Sequence, residues 1–426
     1  MTASTTPATA SAADVPRAGT PAQHLPGSPR PGLTGGLLVV LGLLSAIAPF
    51  AIDLYLPAFP MMSQELGTTA TAVQLTLTAF LVGVAAGQLV FGPLSDRFGR
   101  RVPLVAGALL CVAASAATVL APTVEALVAA RFVQGLSGAA GMVVGRAVVS
   151  DLATGRAAAR AFSLMMIVGG VAPVVAPVVG SLLLRPLGWR GLLGVVLALT
   201  VVMLLSVLVV VPESHPREHR TGRGGAHTPR SGRSGLGSRA YLGNTVAFTF
   251  GFVVLMAYIS ASPFLYQEMM GLGEVQYGLL FGLNALALAV VSGISGRLAA
   301  TRSVPGLLRT GLVTVLAATT VLAVLVATGT PAGWYAAPIF VAVAGLGLVL
   351  GNATALALAA VPGAAGVASA LLGAAQFALA GAVSPLVGIG GGGTAAPLAT
   401  VMVAAAVVAL AGQLAAGGRR SRVAVG

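Results

Sequence analysis

Gly92-Pro93-Leu94-Ser95-Asp96-Arg97-Phe98-Gly99-Arg100-Arg101 is a charged connection set between two apolar runs. The run over 72–94 leads in and the run over 104–121 leads out, each close to the ~20 residues that carry a helix across a bilayer. An acid, three arginines and two glycines between such runs describe a tight, wet hairpin at a membrane surface.

The same alternation extends in both directions. Apolar runs bounded by Pro, Gly or charge cover 37–60, 72–94, 104–121, 126–150, 162–184 and 191–211, then 243–263, 276–298, 309–328, 336–359, 366–388 and 397–416. Hydrophobic residues make up 57% of the 426-residue chain and charged ones 8%, against about 25% in a soluble domain. The expected fold is an all-α membrane protein with twelve transmembrane helices in two pseudo-symmetric six-helix bundles. Its parts read as a disordered cytoplasmic tail (1–33), an N-terminal bundle (34–211), a Gly- and Arg-rich cytoplasmic linker (212–240), a C-terminal bundle (241–416) and a short cytoplasmic tail (417–426). An internal repeat supports the division: Ala176-Pro177-Val178-Val179-Gly180 falls over Ser384-Pro385-Leu386-Val387-Gly388.

The net charge of +13 comes from arginine alone, since the chain has no lysine. With both termini inside, 19 of the 23 arginines fall in cytoplasmic tails and loops. The basic excess is therefore topological, by the positive-inside rule, and is not a nucleic-acid surface. Cys111 is the one cysteine and lies in an apolar run, which excludes a disulfide framework. His215 and His219 have metal-ligand spacing, but they lie with His227 in the polar linker and read as a solvated loop. No P-loop, metal-ligand cluster or Ser/His/Asp arrangement marks an enzyme.

Nine of the ten acids fall in tails, loops or helix ends, and Asp53 alone lies inside a span. A charged side chain at mid-membrane costs roughly 2.5–3.5 kcal/mol on insertion scales, so a retained acid faces a cavity, pairs with a base or relays protons. A structural alternative has Asp53 bonding backbone groups freed by Pro49 and Pro57 in a broken helix. Arg131 is the natural partner for the acid: at ~1.5 Å per residue it lies about 8 Å below the outer start of the fourth span, and Asp53 lies at similar depth. Snorkelling, or bonding to carbonyls of a neighbouring helix, is the alternative for the arginine.

The charged connection resembles the motif between helices two and three of the major facilitator superfamily, with Gly92, Leu94, Asp96, Arg97, Gly99, Arg100 and Arg101 in register. The resemblance implies that Asp96 braces the two halves at the start of span eleven, where a helix dipole favours an anion. Arg131-Phe132-Val133-Gln134-Gly135 is similar to the fourth-helix pattern, whose arginine is tied to proton coupling. Ala172-Pro173-Val174-Val175-Ala176-Pro177-Val178-Val179-Gly180-Ser181 resembles the antiporter motif through Ala176, Pro177 and Gly180, with Ser181 in place of the usual final glycine. Asp53-Leu54-Tyr55-Leu56-Pro57, with Tyr258-Ile259-Ser260-Ala261-Ser262-Pro263 and Tyr277-Gly278-Leu279-Leu280-Phe281, looks like the bicyclomycin and chloramphenicol resistance (Bcr/CflA) subfamily.

The resemblance implies a proton-coupled antiporter that exports drugs or other small amphipathic molecules across the bacterial cytoplasmic membrane by alternating access. No cofactor is expected, the proton gradient being the energy source. The expected partners are small-molecule cargo, protons and the lipid bilayer, with a monomer as the working unit. Tyr55, Gln134, Tyr258, Asn284, Gln376 and Phe377 are candidates to line a central cavity. An exporter of one metabolite, such as an amino acid, sugar or siderophore, and a non-transporting membrane sensor are the alternatives.

Overall fold

The computed structural model describes residues 34–153, 155–214, 234–362, 365–389 and 393–417. Most of the linker and both tails, with the linker histidines, lie outside these residues. Twelve helical crossings follow one another: α1 (Gly35–Asp53), α2 (Ala70–Phe98), α3 (Arg101–Val119), α4 (Val124–Leu152), α5 and α6 (155–187 and 189–210), α7 (Arg239–Pro263), α8 (Glu274–Leu298), α9 (Val304–Ala327), α10 (Ala336–Ala359), α11 (Ala365–Val383) and α12 (Ala396–Gly417). Hydroxyl side chains start several of them. Thr34, Thr69, Thr123 and Ser238 each accept from a backbone N–H three residues on, satisfying a donor that the first helical turn leaves open.

Gly155–Val210 runs on as one helical stretch of 56 residues, about 84 Å at 1.5 Å per residue, far more than a ~30 Å hydrocarbon core accommodates. A single residue divides it: Gly188 has φ 64°, a left-handed conformation, and returns the chain as a hairpin. Both ends of α1 to α12 therefore lie at one end of the molecule, here the terminal end; the other is the far end.

α1 is shorter than its apolar run. Helix gives way after Asp53, and a 3-10 turn over Leu56–Ala58 and a short helix over Phe59–Glu65 follow, because Pro57 and Pro60 withhold backbone donors. The last residue of a transmembrane helix is thus the buried acid. The two repeated Pro-Gly segments also differ: Pro177 and Gly180 sit within α5, whereas Ser384–Gly388 forms a 3-10 turn that closes α11.

Leu41, Leu44, Leu104, Cys111, Val144 and Val207 form the core of the N-terminal half toward the terminal end. Cys111 is a buried packing residue there. A second, larger core crosses from this half into the other and surrounds the broken end of α1. The seam between halves follows two helix pairs, α2 with α11 and α5 with α8. A Cβ on Gly381 would meet Val82 at 2.9 Å, and one on Gly278 would meet the Pro177 carbonyl at 2.9 Å. Small residues set these approaches, the usual device for helix contact in lipid.

Candidate functional site: a buried acid at the seam

Asp53 is 3% exposed, and its Oδ1 has no hydrogen-bond partner. The ion pair with Arg131 is not formed. Arg131, fully buried, donates from Nη1 to Gln134 Oε1 at 2.5 Å and from Nη2 to the Ala51 carbonyl at 2.8 Å. Its guanidinium lies 4.5 Å from the ring centroid of Tyr55 and 4.4 Å from that of Phe80. The charge is therefore held by a carbonyl, an amide and two ring faces. Depth agrees with the expectation, but the partner does not. The guanidinium ends on the main-chain carbonyl of Ala51, two residues before the acid, and not on the Asp53 carboxyl group, whose Oδ1 stays without a partner.

The same break is touched from α5. A Cβ on Gly180 would collide with the Leu54 carbonyl, so only glycine allows this approach. Ala176 is fully buried beside it. From the other half, Gly278 of α8 packs directly on Ser181, the residue after Gly180, and the hydroxyl of the adjacent Tyr277 is 3.3 Å from Ser262 Oγ. Asp53 thus sits where α1, α5 and α8 converge.

The candidate cavity residues divide. Tyr55 bonds Thr76 (3.1 Å) and faces Arg131, and Gln134 donates to Ser115 Oγ (2.7 Å), so both serve the arginine. Across the seam, Asn284 Nδ2 donates to the hydroxyls of Tyr258 (2.8 Å) and Tyr266 (3.2 Å), while Oδ1 has no partner. Phe281 stacks on Tyr258 with centroids 5.5 Å apart. Phe377 packs edge-on against Phe252, and Gln376 next to it is partly exposed.

Four side-chain links cross the seam among the described residues, all at the far end. Thr71 donates to the Gly388 carbonyl (2.7 Å), Gln74 to that of Ser260 (3.0 Å) and Gln267 to that of Pro57 (3.0 Å), and Arg185 pairs with Glu274 (3.2 Å). Gln267 lies in a π-type turn, Phe264–Met269, that also carries Tyr266.

The charged connection gathers a cluster at the terminal end. Arg100 binds Asp151 (2.8 Å), Asp96 (2.6 Å) and Ser95 (2.9 Å), and Glu213 accepts the Arg100 backbone N–H (2.9 Å) at the start of α3, where the helix dipole favours an anion. Burial opposes the charge of Arg100, but Asp151 and Asp96 outweigh it and hold the guanidinium above its ordinary pKa. Asp96 is half exposed and spends its carboxylate on Arg100. Residues 363 and 364, before span eleven, lie outside the described residues. Arg101 donates to the Leu208 carbonyl (2.9 Å), and Arg97 lies over the Phe98 ring (5.2 Å). Gly99, at φ 88°, ends α2, whereas a Cβ on Gly92 would meet nothing within 4 Å, so Gly92 makes no close helix approach in this arrangement.

Sequence reasoning missed Asp151 and Glu213, which looked like loop acids, and Trp189, whose Nε1 donates to Glu65 (2.7 Å) and ties the α5–α6 hairpin to the α1–α2 connection.

Residues 41–385 match the profile of the Major Facilitator Superfamily. A Bacillus subtilis protein named "Uncharacterized MFS-type transporter YdgK" is 38% identical over 87% of this chain and 93% of its own length. A Haemophilus influenzae "Bicyclomycin resistance protein homolog" is 30% identical over 88% and 94%. The fold is similar to that of a crystallised D-xylose-proton symporter, with a TM-score of 0.70 at 15% identity, covering 88% of this chain and 96% of that one.

Proposed function

The chain belongs to the Major Facilitator Superfamily, and on that premise we propose that it is a proton-coupled antiporter that exports drugs or other small amphipathic molecules. It works as a monomer in the bacterial cytoplasmic membrane, with both termini cytoplasmic and the far end outside. The relative named for bicyclomycin resistance supports an antibiotic-like cargo.

One observation carries the coupling: a carboxyl oxygen buried without a partner at the broken end of α1, on the seam between halves. A carboxyl group so placed is tolerated as the neutral acid and asks for water or a partner as the anion. In the far-end-closed arrangement Asp53 carries its proton; when it releases the proton inward the anion has no partner until the seam opens outside. Arg131 takes part through the Ala51 carbonyl, fixing the helix two residues before the acid, and Tyr258, Tyr266 and Asn284 offer cargo a surface from the opposite half. Rocking of the halves about this point exchanges cargo for protons.

The test is bicyclomycin transport in proteoliposomes under an imposed pH gradient. Asp53→Asn should still bind the drug while uphill transport falls to the level of empty vesicles. Uphill transport at the native rate by that variant would remove Asp53 from the coupling step.

A further inference from the structure

Two buried oxygens at the same junction lack partners: Asp53 Oδ1 and Ser181 Oγ. Backbone packing holds their residues together, since Gly180, just before Ser181, lies against the carbonyl of Leu54, just after Asp53. Both belong to the N-terminal half, so this contact survives when the halves part. From the other half the α8 backbone sits directly on Ser181, whose Oγ and Cβ occupy the space a side chain at Gly278 would need.

A buried hydroxyl without an acceptor is unfavourable. Packing does not demand one here, because the close approach to α1 is made by Gly180 and the final position of the resembled motif is ordinarily glycine. The hydroxyl makes sense in an arrangement where α8 has withdrawn and Ser181 is free to turn.

We propose that Ser181 is a positioning residue for the coupling acid, its hydroxyl donating to the Asp53 carboxylate when the seam between α5 and α8 opens. The anion that had no partner in the closed seam then gains one, and holds it until a proton arrives from the far side. The titratable neighbours are few: Tyr55 on the same chain segment, Arg131 from α4, which ends on the Ala51 carbonyl, and Tyr277 from α8, with Tyr266 of the α7 turn behind it. α5 itself presents no titratable side chain at this point. The proposal rests on the reading of Asp53 as the coupling acid.

The experiment measures bicyclomycin transport by the full chain in proteoliposomes as a function of pH on the far side, for the native protein, Ser181→Ala and Ser181→Gly. Loss of the hydroxyl removes a bond to the charged form, so the carboxyl keeps its proton to higher pH, and the midpoint should move about one unit alkaline in both variants. Thermal unfolding in detergent should be near native for Ser181→Ala, which keeps the Cβ against α8. A Ser181→Ala curve that superimposes on the native one, with or without a shift in Ser181→Gly, overturns the proposal alone. A native protein whose transport ignores pH overturns both the proposal and the coupling role of Asp53.

Discussion

The guanidinium of Arg131 donates to the carbonyl oxygen of Ala51 at 2.8 Å, and through that bond a buried charge on α4 grips α1 two residues before its only acid. The link runs through main chain, so it persists whether Asp53 is protonated or not. On the proposed mechanism Arg131 is the fixed anchor and Asp53 the group that changes.

From that anchor, Arg131→Lys should keep the charge but lose the forked donors and the flat face between Tyr55 and Phe80. We expect destabilisation of about 1–3 kcal/mol and impaired transport. Arg131→Ala, which strands Gln134 Oε1 and the Ala51 carbonyl, should destabilise further. Thermal unfolding in detergent gives the order; equal midpoints for lysine and alanine would mean the fork is not used.

Gly180→Ala places a methyl group where the Leu54 carbonyl lies. The overlap is with backbone, which cannot rotate aside, so a loss of about 1–3 kcal/mol is expected, together with loss of transport. Gly92→Ala adds the same group to open space in the charged connection and should leave both unchanged. A native-like unfolding midpoint for Gly180→Ala would show that α5 and α1 do not touch as described.

The two acids on Arg100 should not be equivalent. Arg100 is largely buried and Asp151 mostly so, and Asp151→Asn breaks a sheltered pair expected to be worth a few kcal/mol. Asp96 is half exposed, and Asp96→Asn should change stability by less than about 1 kcal/mol. Transport separates the roles: a strong transport defect in Asp96→Asn without a stability loss points to a partner gained by Asp96 in another arrangement.

At the far end, Arg185 and Glu274 pair at the surface, and the arginine is largely exposed. Removing the pair with Arg185→Ala should matter little, within about 0.5 kcal/mol. Joining the two positions should matter a great deal. With Arg185→Cys and Glu274→Cys in one chain, a bifunctional thiol reagent should block transport by holding the halves together, and a reductant-cleavable version should restore it. Transport at native rate in the crosslinked protein would mean that the far end need not open.

Much of this was open to reading beforehand, for identifiable reasons. Twelve crossings follow from the succession of apolar runs, but the first run, read as a span over 37–60, does not show that helix stops at Asp53; a broken helix at Pro49 and Pro57 is only the alternative, and Pro49 lies within α1. The depth of Arg131 follows from counting turns. The partner does not, because a main-chain carbonyl leaves no mark in the sequence: Arg131 ends on the carbonyl of Ala51 and not on the carboxyl group of Asp53. Gln134 looked like a cavity residue because a polar side chain at mid-span has no local mark of its partner, and here the partner is three residues away on the same helix. Asp151 and Glu213 were passed over for a related reason. Their partner, Arg100, is 51 residues from one and 113 from the other, a distance that no local pattern bridges.

Three of the four links that close the far end terminate on main-chain carbonyls, at Gly388, Ser260 and Pro57. Acceptors of that kind cannot be removed by changing a side chain, so this latch is robust to drift on one of its two sides. It is also shallow. Neutral hydrogen bonds contribute about 1 kcal/mol each, so the three together supply a few kcal/mol, below the ~5.5 kcal/mol that takes a two-state equilibrium from one extreme to the other. On the proposed mechanism the binding energy of one small molecule is enough to offset these three bonds, and the apolar packing across the seam is what remains to be parted.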